Sequence, residues 1–388
     1  MTTRQQATAQ DLRAAVQASF PSDSRLARVQ QLMEEHSADC LVAVGGDYAN
    51  WLTNYHRYFA GLSAVIVTAD GETTLFTSPD ELPLAQERSS ATRTRSYGEA
   101  GFGLDLNPMS GLLAALVGHD ALKHAKRVGV AGLTAAAATE LGWAAPVELG
   151  GGLERISQRK DIDEARKVAV AYNLCWKAQA ATAEAVSNGA SEIEVFTTAH
   201  SVAQLAFGEP VEFVADILAG PNAAQVCCPV AYAGPKTVEI GEALVADIVV
   251  RAAGYWGDTC RTHIRGENEE IQTALVKLVK ILDDASRELR PGARGCDLHA
   301  MIRDALKGPF PGAGFPHHAG HGLGLSSFEG PHIIPADDTT LEAGMILAVE
   351  PGAYYPDRWG IRWENEYLVT DNGGVELNEA LGALDANA

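Results

Sequence analysis

The feature that most restricts how this chain can fold is an aspartate, Asp247, inside the apolar run "ALVADIVV", with a second, Asp258, eleven residues on in "GYWGDTCRTHI". Both stretches read as strands of one hairpin, and a turn centred near Ala252-Ala253 would set the two aspartates opposite each other. Neighbouring carboxylates repel, and each raises the pKa of the other. Exposed charges on a half-solvated hairpin would escape that cost, but "ALVADIVV" is too apolar for a solvated face. A buried pair needs a cation or a shared proton.

Three further positions carry the same signature. His321 stands in "AGHGLGL", where glycine on either side permits close backbone approach. Phosphate loops of this look lead into a helix N-terminus and often supply a lysine. Here no Lys or Arg lies between Lys307 and Arg358, and "SSFEGPHIIP" does not read as a helix. Glu350 closes "GMILAVE" ahead of Pro351-Gly352, and a glutamate ending a buried strand needs a partner. Glu364 and Glu366 share one strand parity in "GIRWENEYLVT", so spacing leaves the choice between them open. An ion pair with Arg362 is the plain structural role for Glu364. Two Asp, one His and two Glu make an oxygen-rich donor set, suited to manganese, cobalt, iron or zinc rather than to a thiolate zinc site. Four carboxylates would balance two divalent cations, which acidify a water between them. The residues alone therefore point to a two-metal hydrolytic centre, its glycines leaving clearance for cations and substrate.

The 388 residues suffice for two domains. The first third reads as α/β: a helix in "DSRLARVQQLMEEHS", and strands in "DCLVAVGG", "SAVIVTADGETTLFTS" and "KRVGVAG" with a turn at Asp70-Gly71. The Gly150-Gly151-Gly152 run reads as a hinge, dividing residues 1–152 from 153–388. Asp161 or Asp163 then opens a long helix, and Ser191 with Glu194 forms a capping box for the next. Two helices, strands, two helices and strands suggest a repeated α+β unit. A formal net charge of −20 leaves no basic footprint for nucleic acid or an anionic membrane. Six scattered cysteines without a C-x-x-C pair suggest no disulfide scaffold, and no run reaches membrane-spanning length. A cytoplasmic, soluble protein is the expectation.

In order and spacing these residues resemble the pita-bread metallopeptidases, family M24, which include methionine aminopeptidase, Xaa-Pro aminopeptidase, prolidase and creatinase. Asp247, Asp258 in "DTCRT", His321 in "GHGLG", Glu350 in "VEPG" and Glu364 in "RWE" match the five parts of the family pattern. The resemblance selects Glu364 over Glu366. It implies a pita-bread α+β domain behind a smaller creatinase-type α/β domain, and a homodimer. It also implies two divalent metals, with Asp258 and Glu364 bridging, Asp247 holding one and His321 with Glu350 the other. Glu350 would also shuttle the proton of a bridging water, with His317 and Arg362 as further catalytic residues.

Two family histidines are replaced. Phe328 stands seven after His321, in "FEGP", where the peptidases have a histidine. Cys227, in "PNAAQVCCP", stands where they have another. These histidines handle the substrate carbonyl, and loss of such a donor typically costs ~10²–10³ in rate. His317 matches a third family histidine, and His318 beside it is extra. Tyr48, Trp51 and Tyr55 fall in a segment that borders the site in the family, with core packing as the alternative role. His263 and Cys260 receive no role. The expectation is a binuclear-metal hydrolase that cleaves an amide-type C–N bond with a metal-bridging hydroxide. It would be Xaa-Pro dipeptidase-like, acting on a short peptide or on an atypical small amide. A metal-dependent lyase and an inactive binding module are the alternatives.

Overall fold

The computed structural model describes residues 16, 23–56, 62–98, 107–225, 233–356 and 358–380. The chain divides into two compact units, Ser19–Ser157 and one built on Gln158–Ala388. The glycine run read as a hinge instead opens a helix, Gly150–Gln158, at whose end the division falls.

In the first unit, strands β1 (Cys40–Val44), β2 (Ala64–Thr68), β3 (Thr73–Thr77), β4 (Arg93–Ser96), β5 (Val128–Ala131) and β6 (Val147–Glu148) form one sheet of order β4-β3-β2-β1-β5-β6. The β1–β2 and β2–β3 pairs are antiparallel, and β1–β5, β3–β4 and β5–β6 are parallel. Its central strands are buried along their length, which is why they read as apolar runs rather than as alternation. Val42, Ile66, Phe76, Leu112 and Val130 share its core. Trp51 and Tyr55 are buried here, with the Tyr55 hydroxyl donating to Glu81 Oε2 at 2.8 Å, and Tyr48 is half-buried.

The second unit repeats helix pair and sheet. Helices Ile162–Ser187 and Glu192–Phe207 each begin with a capping box, on Asp161/Glu164 and Ser191/Glu194. Ala171, Cys175 and Ala178 of the first pack on Ile248 and Val250 of a three-stranded sheet: β7 (Glu212–Ala219), β8 (Ala243–Ala252) and β9 (Tyr255–Ile264). Helices Glu269–Ser286 and Gly295–Lys307 supply Leu278, Leu282 and Ile302 to a core shared with Leu347 and Val349 of a five-stranded sheet. That sheet joins β10 (Gly320–Gly322), β11 (Glu329–His332), β12 (Ile346–Val349), β15 (Asn365–Thr370) and β16 (Gly373–Glu376) in the order β11-β10-β12-β15-β16. Strands β13 (Gly352–Tyr355) and β14 (Trp359–Arg362) pair separately. Among the described residues no helix is long and apolar enough to cross a membrane. A smaller α/β unit and a larger α+β unit match what the resemblance to the pita-bread family implies.

The long helix lies so close to β9 that a Cβ on Gly257 would come within 2.2 Å of Tyr172 N, while Cys175 Sγ donates to Gly257 O at 3.2 Å. Backbone on both sides leaves nothing to rotate away. Gly257→Ala is therefore expected to destabilise this unit by ~3 kcal/mol, read as a lower urea midpoint. An unchanged midpoint would show that helix and strand separate freely.

Candidate metal centre

The hairpin that carries the two aspartates turns one residue later than its sequence suggests. Ala252 pairs with Tyr255, and Ala253 (φ 51°) and Gly254 (φ 81°) form the turn. Such a two-residue loop with two positive φ values matches the twist of the flanking strands. Asp247 therefore faces Cys260, and Asp258 faces Val249. The aspartates are diagonal neighbours on one face, not directly opposite. What does lie opposite Asp247 is Asp216 of β7. Sequence reasoning missed Asp216, although "VADI" occurs twice, at 214–217 and 245–248, and places an aspartate identically in both strands.

Arg362 ends β14 buried among these acids. Its Nη2 lies 3.2 Å from Asp247 Oδ2 and 3.7 Å from Asp216 Oδ2, and its Nη1 lies 3.9 Å from Glu350 Oε2. Glu350 follows β12 directly, and its N–H donates to Ala319 O at 3.0 Å.

The stretch expected as one strand, "GIRWENEYLVT", breaks at Trp363-Glu364 into β14 and β15, which belong to different sheets. Parity could not separate Glu364 from Glu366 because no single strand contains both. Glu364 is pinned by its own backbone: its N–H donates to Cys260 O at 3.0 Å, and its carbonyl accepts from Thr259 Oγ1 at 3.2 Å and from Arg261. The Arg261 guanidinium lies between the rings of Trp176 and Trp363, 4.3 and 4.4 Å from their centroids. Glu366 instead accepts from the Asp258 N–H.

His321 lies in β10, a three-residue strand rather than a loop. Its flanking glycines admit neighbouring backbone rather than clearing room for cations. A Cβ on Gly320 would meet Ala348 O at 2.2 Å, and one on Gly322 would meet Gly330 O at 2.4 Å. His321 Nδ1 donates to Gly322 O at 2.9 Å, which leaves Nε2 as the free acceptor. That nitrogen lies 3.8 Å from Asp258 Oδ2 and 3.7 Å from Glu350 Oε1. His317 is held by His318 O on one side at 2.6 Å and by the Tyr354 hydroxyl on the other at 2.8 Å.

Among the described residues, two sets of three side chains bring a ligand atom each within 4.8 Å of one another: Asp258, His321 and Glu364, and His318, His321 and Glu350. Asp247 stands outside both, beside Arg362. His318 received no role from the sequence. Phe328 is 49% exposed, its ring 4.7 Å from that of His321 and 4.9 Å from that of His318. Cys227 lies outside the described residues.

Burial pushes the carboxyls of Asp258 and Glu364 well above the usual range, and repulsion from neighbouring acids adds to it. Asp247 is pushed up by burial, against the pull of Arg362, to about 6. Glu350 differs: burial opposes its charge, but His318, His317 and His321 hold it down at about 2. Asp258 Oδ1 and both Glu364 carboxylate oxygens are buried without a hydrogen-bond partner. Buried oxygens left this way are costly. With one imidazole nitrogen aimed at them, they fit divalent cations.

Residues 166–371 match the model of metallopeptidase family M24, and residues 25–158 match that of the creatinase/prolidase N-terminal domain. A Pyrococcus furiosus Xaa-Pro dipeptidase is 30% identical over 221 residues, 57% of this chain and 63% of the relative. The chain spans about 60% of the length of the curated relatives it matches. The prolidase structure from Pyrococcus horikoshii superposes with a TM-score of 0.76 at 22% identity, covering 92% of this chain and 98% of that one. Dipeptidase PepE from Mycobacterium ulcerans gives 0.71 at 25% identity, covering 92% and 97%.

One histidine away from these donors sets a pH response. Gln179 gives its amide hydrogens to Ala246 O (2.8 Å) and Thr259 O (3.0 Å), one on each aspartate strand, so its oxygen accepts from His263 Nε2 at 2.9 Å. Burial holds His263 down at about 4. Below the unfolded value near 6.5 the unfolded chain takes up a proton that the folded one refuses. Stability from this group is full above that pH, falls between 6.5 and 4, and is gone below. The loss is worth on the order of 3 kcal/mol. His263→Gln is expected to flatten denaturation midpoints across that window relative to wild type. Parallel curves for the two proteins would refute the assignment.

Proposed function

The chain belongs to metallopeptidase family M24, and from that premise we propose a binuclear metal-dependent hydrolase that cleaves a C–N bond in a small amide other than a standard Xaa-Pro peptide. Asp247, Asp258, His321, Glu350 and Glu364 would hold two divalent ions. When bound, such a pair supplies an acidified water and a Lewis acid for the substrate carbonyl.

The chain's own residues divide the remaining work. Glu350, kept ionised by the histidines around it, takes the proton from the attacking water on a carboxylate oxygen and returns it to the leaving nitrogen. Arg362 holds Asp247 and Glu350 in place and offsets their charge. His317, its ring fixed by His318 O and the Tyr354 hydroxyl, sets its Nδ1 3.7 Å from Glu350 Oε2 and would position that carboxylate.

Phe328 is the observation that carries the departure from ordinary peptides. A half-exposed phenyl ring lies against His321 where the peptidases place a histidine. It donates no hydrogen bond to a substrate oxygen and instead gives the site an apolar wall. A substrate that brings its own compact, preorganised carbonyl, such as a cyclic or modified amide, needs that donor least.

The test compares metal-loaded protein on Xaa-Pro dipeptides and tripeptides with a panel of cyclic and N-modified amides. Turnover is expected on the second group, to disappear on chelation and to return with added metal. Efficient cleavage of the Xaa-Pro panel would refute the substrate assignment, and metal-independent turnover would refute the mechanism. Phe328→His is expected to raise residual Xaa-Pro cleavage by at least ~10-fold, part of the 10²–10³ that one carbonyl donor supplies. Glu350→Ala should lower all hydrolysis by orders of magnitude.

A further inference from the structure

His318 follows a residue with two partners, yet its own ring turns into the metal centre. Its Nδ1 is buried and lies 2.9 Å from Glu350 Oε1. This is ion-pair distance, and it is also the separation of two neighbouring ligand atoms on one cation; with His321 these side chains each bring a ligand atom within 4.8 Å of the others. A nitrogen and a carboxylate oxygen at that separation can serve as two donors to a common third point. His321 Nε2, with its own Nδ1 committed to Gly322 O, faces the same point 3.7 Å from that Glu350 oxygen. The rings of His318 and His321 stand nearly perpendicular, 79° apart with centroids at 5.3 Å, so both present an edge. The Phe328 ring packs against both, with centroids at 4.7 to 4.9 Å.

We propose that His318 is a metal ligand, giving the cation held by His321 and Glu350 a second imidazole. This rests on the metal-centre reading above and adds a ligand to it. The consequence is a change of preference. A site with two imidazoles and carboxylates suits zinc, cobalt or nickel, whereas the all-carboxylate-plus-one-histidine set suits manganese. His318 also occupies a coordination position that water or a substrate amine would otherwise take, so the ion beside it has less room for an N-terminal amino group.

The experiment uses the full chain, stripped of metal and titrated with zinc against a chromophoric chelator. Wild type, His318→Gln and His321→Ala are compared, with circular dichroism to show that each is folded. His318→Gln should weaken the tighter zinc equilibrium at least ~10-fold, the low end of what perturbing a ligand environment costs, and should affect manganese less. The cobalt-loaded protein should show paramagnetically shifted ring protons from two histidines in wild type and from one in His318→Gln. Unchanged zinc affinity, or one shifted histidine in wild type, would overturn the assignment while leaving the metal centre standing. No zinc or cobalt binding by folded wild type would overturn both. Weakened binding with both shifted rings retained in His318→Gln would also overturn it, since a different histidine would then be the second ligand.

Discussion

The second unit is organised around a guanidinium that water does not reach. Arg362 is buried with three carboxylates, Asp216, Asp247 and Glu350, within 4 Å of its terminal nitrogens. One positive charge does not balance three carboxylates, and the buried carboxyls of Asp258 and Glu364, gathered with His321, add to the demand for a cation. Ions are costly to bury, and a buried pair repays that cost only when its geometry is held. Much of the surrounding structure does that holding. Three strands present their acids to one side, a helix packed on them caps their carbonyls through Gln179, and Arg261 fixes the crossing between two sheets from which Glu364 projects. The charge that remains is what makes the site receptive to cations.

The two ends of the pocket therefore differ in kind. Toward Arg362 lie the carboxylates of Asp216, Asp247 and Glu350. Toward Phe328 the wall is aromatic, with rings of His318, His321 and His332 packed on one phenyl face or edge. A substrate entering such a site meets electrostatic demand at one side and only shape at the other. Selectivity would then come from what fits against the ring rather than from what hydrogen-bonds to it.

Much of this could be read from the residues because burying charge leaves a mark in sequence. Asp247, Asp258 and Glu350 each interrupt or end an apolar run, and the repeated order of helix pairs and strands is visible in periodicity alone. What escaped was set by backbone detail. The turn position depends on Ala253 accepting a left-handed conformation, so the turn fell one residue later, the pairing register shifted by two, and a diagonal pair was taken for an opposite one. Glu364 and Glu366 were inseparable by parity because the chain changes sheets between Arg362 and Asn365. Asp216 sat in an equally apolar run, but no motif around it tied it to the other acids. His318 looked redundant beside His317, since nothing in a dipeptide of histidines says which ring turns inward.

The hairpin between the two aspartates also acts as a ruler. Because side chains alternate faces along each strand, the two carboxylates share a face only while the number of residues between them keeps its parity and its register. Lengthening the Ala253-Gly254 connection by one residue, without a compensating bulge, would turn one aspartate away from the site and a neighbouring apolar side chain into it. A two-residue insertion confined to the loop would leave the face intact. Length at this turn is thus constrained by charges buried several residues away.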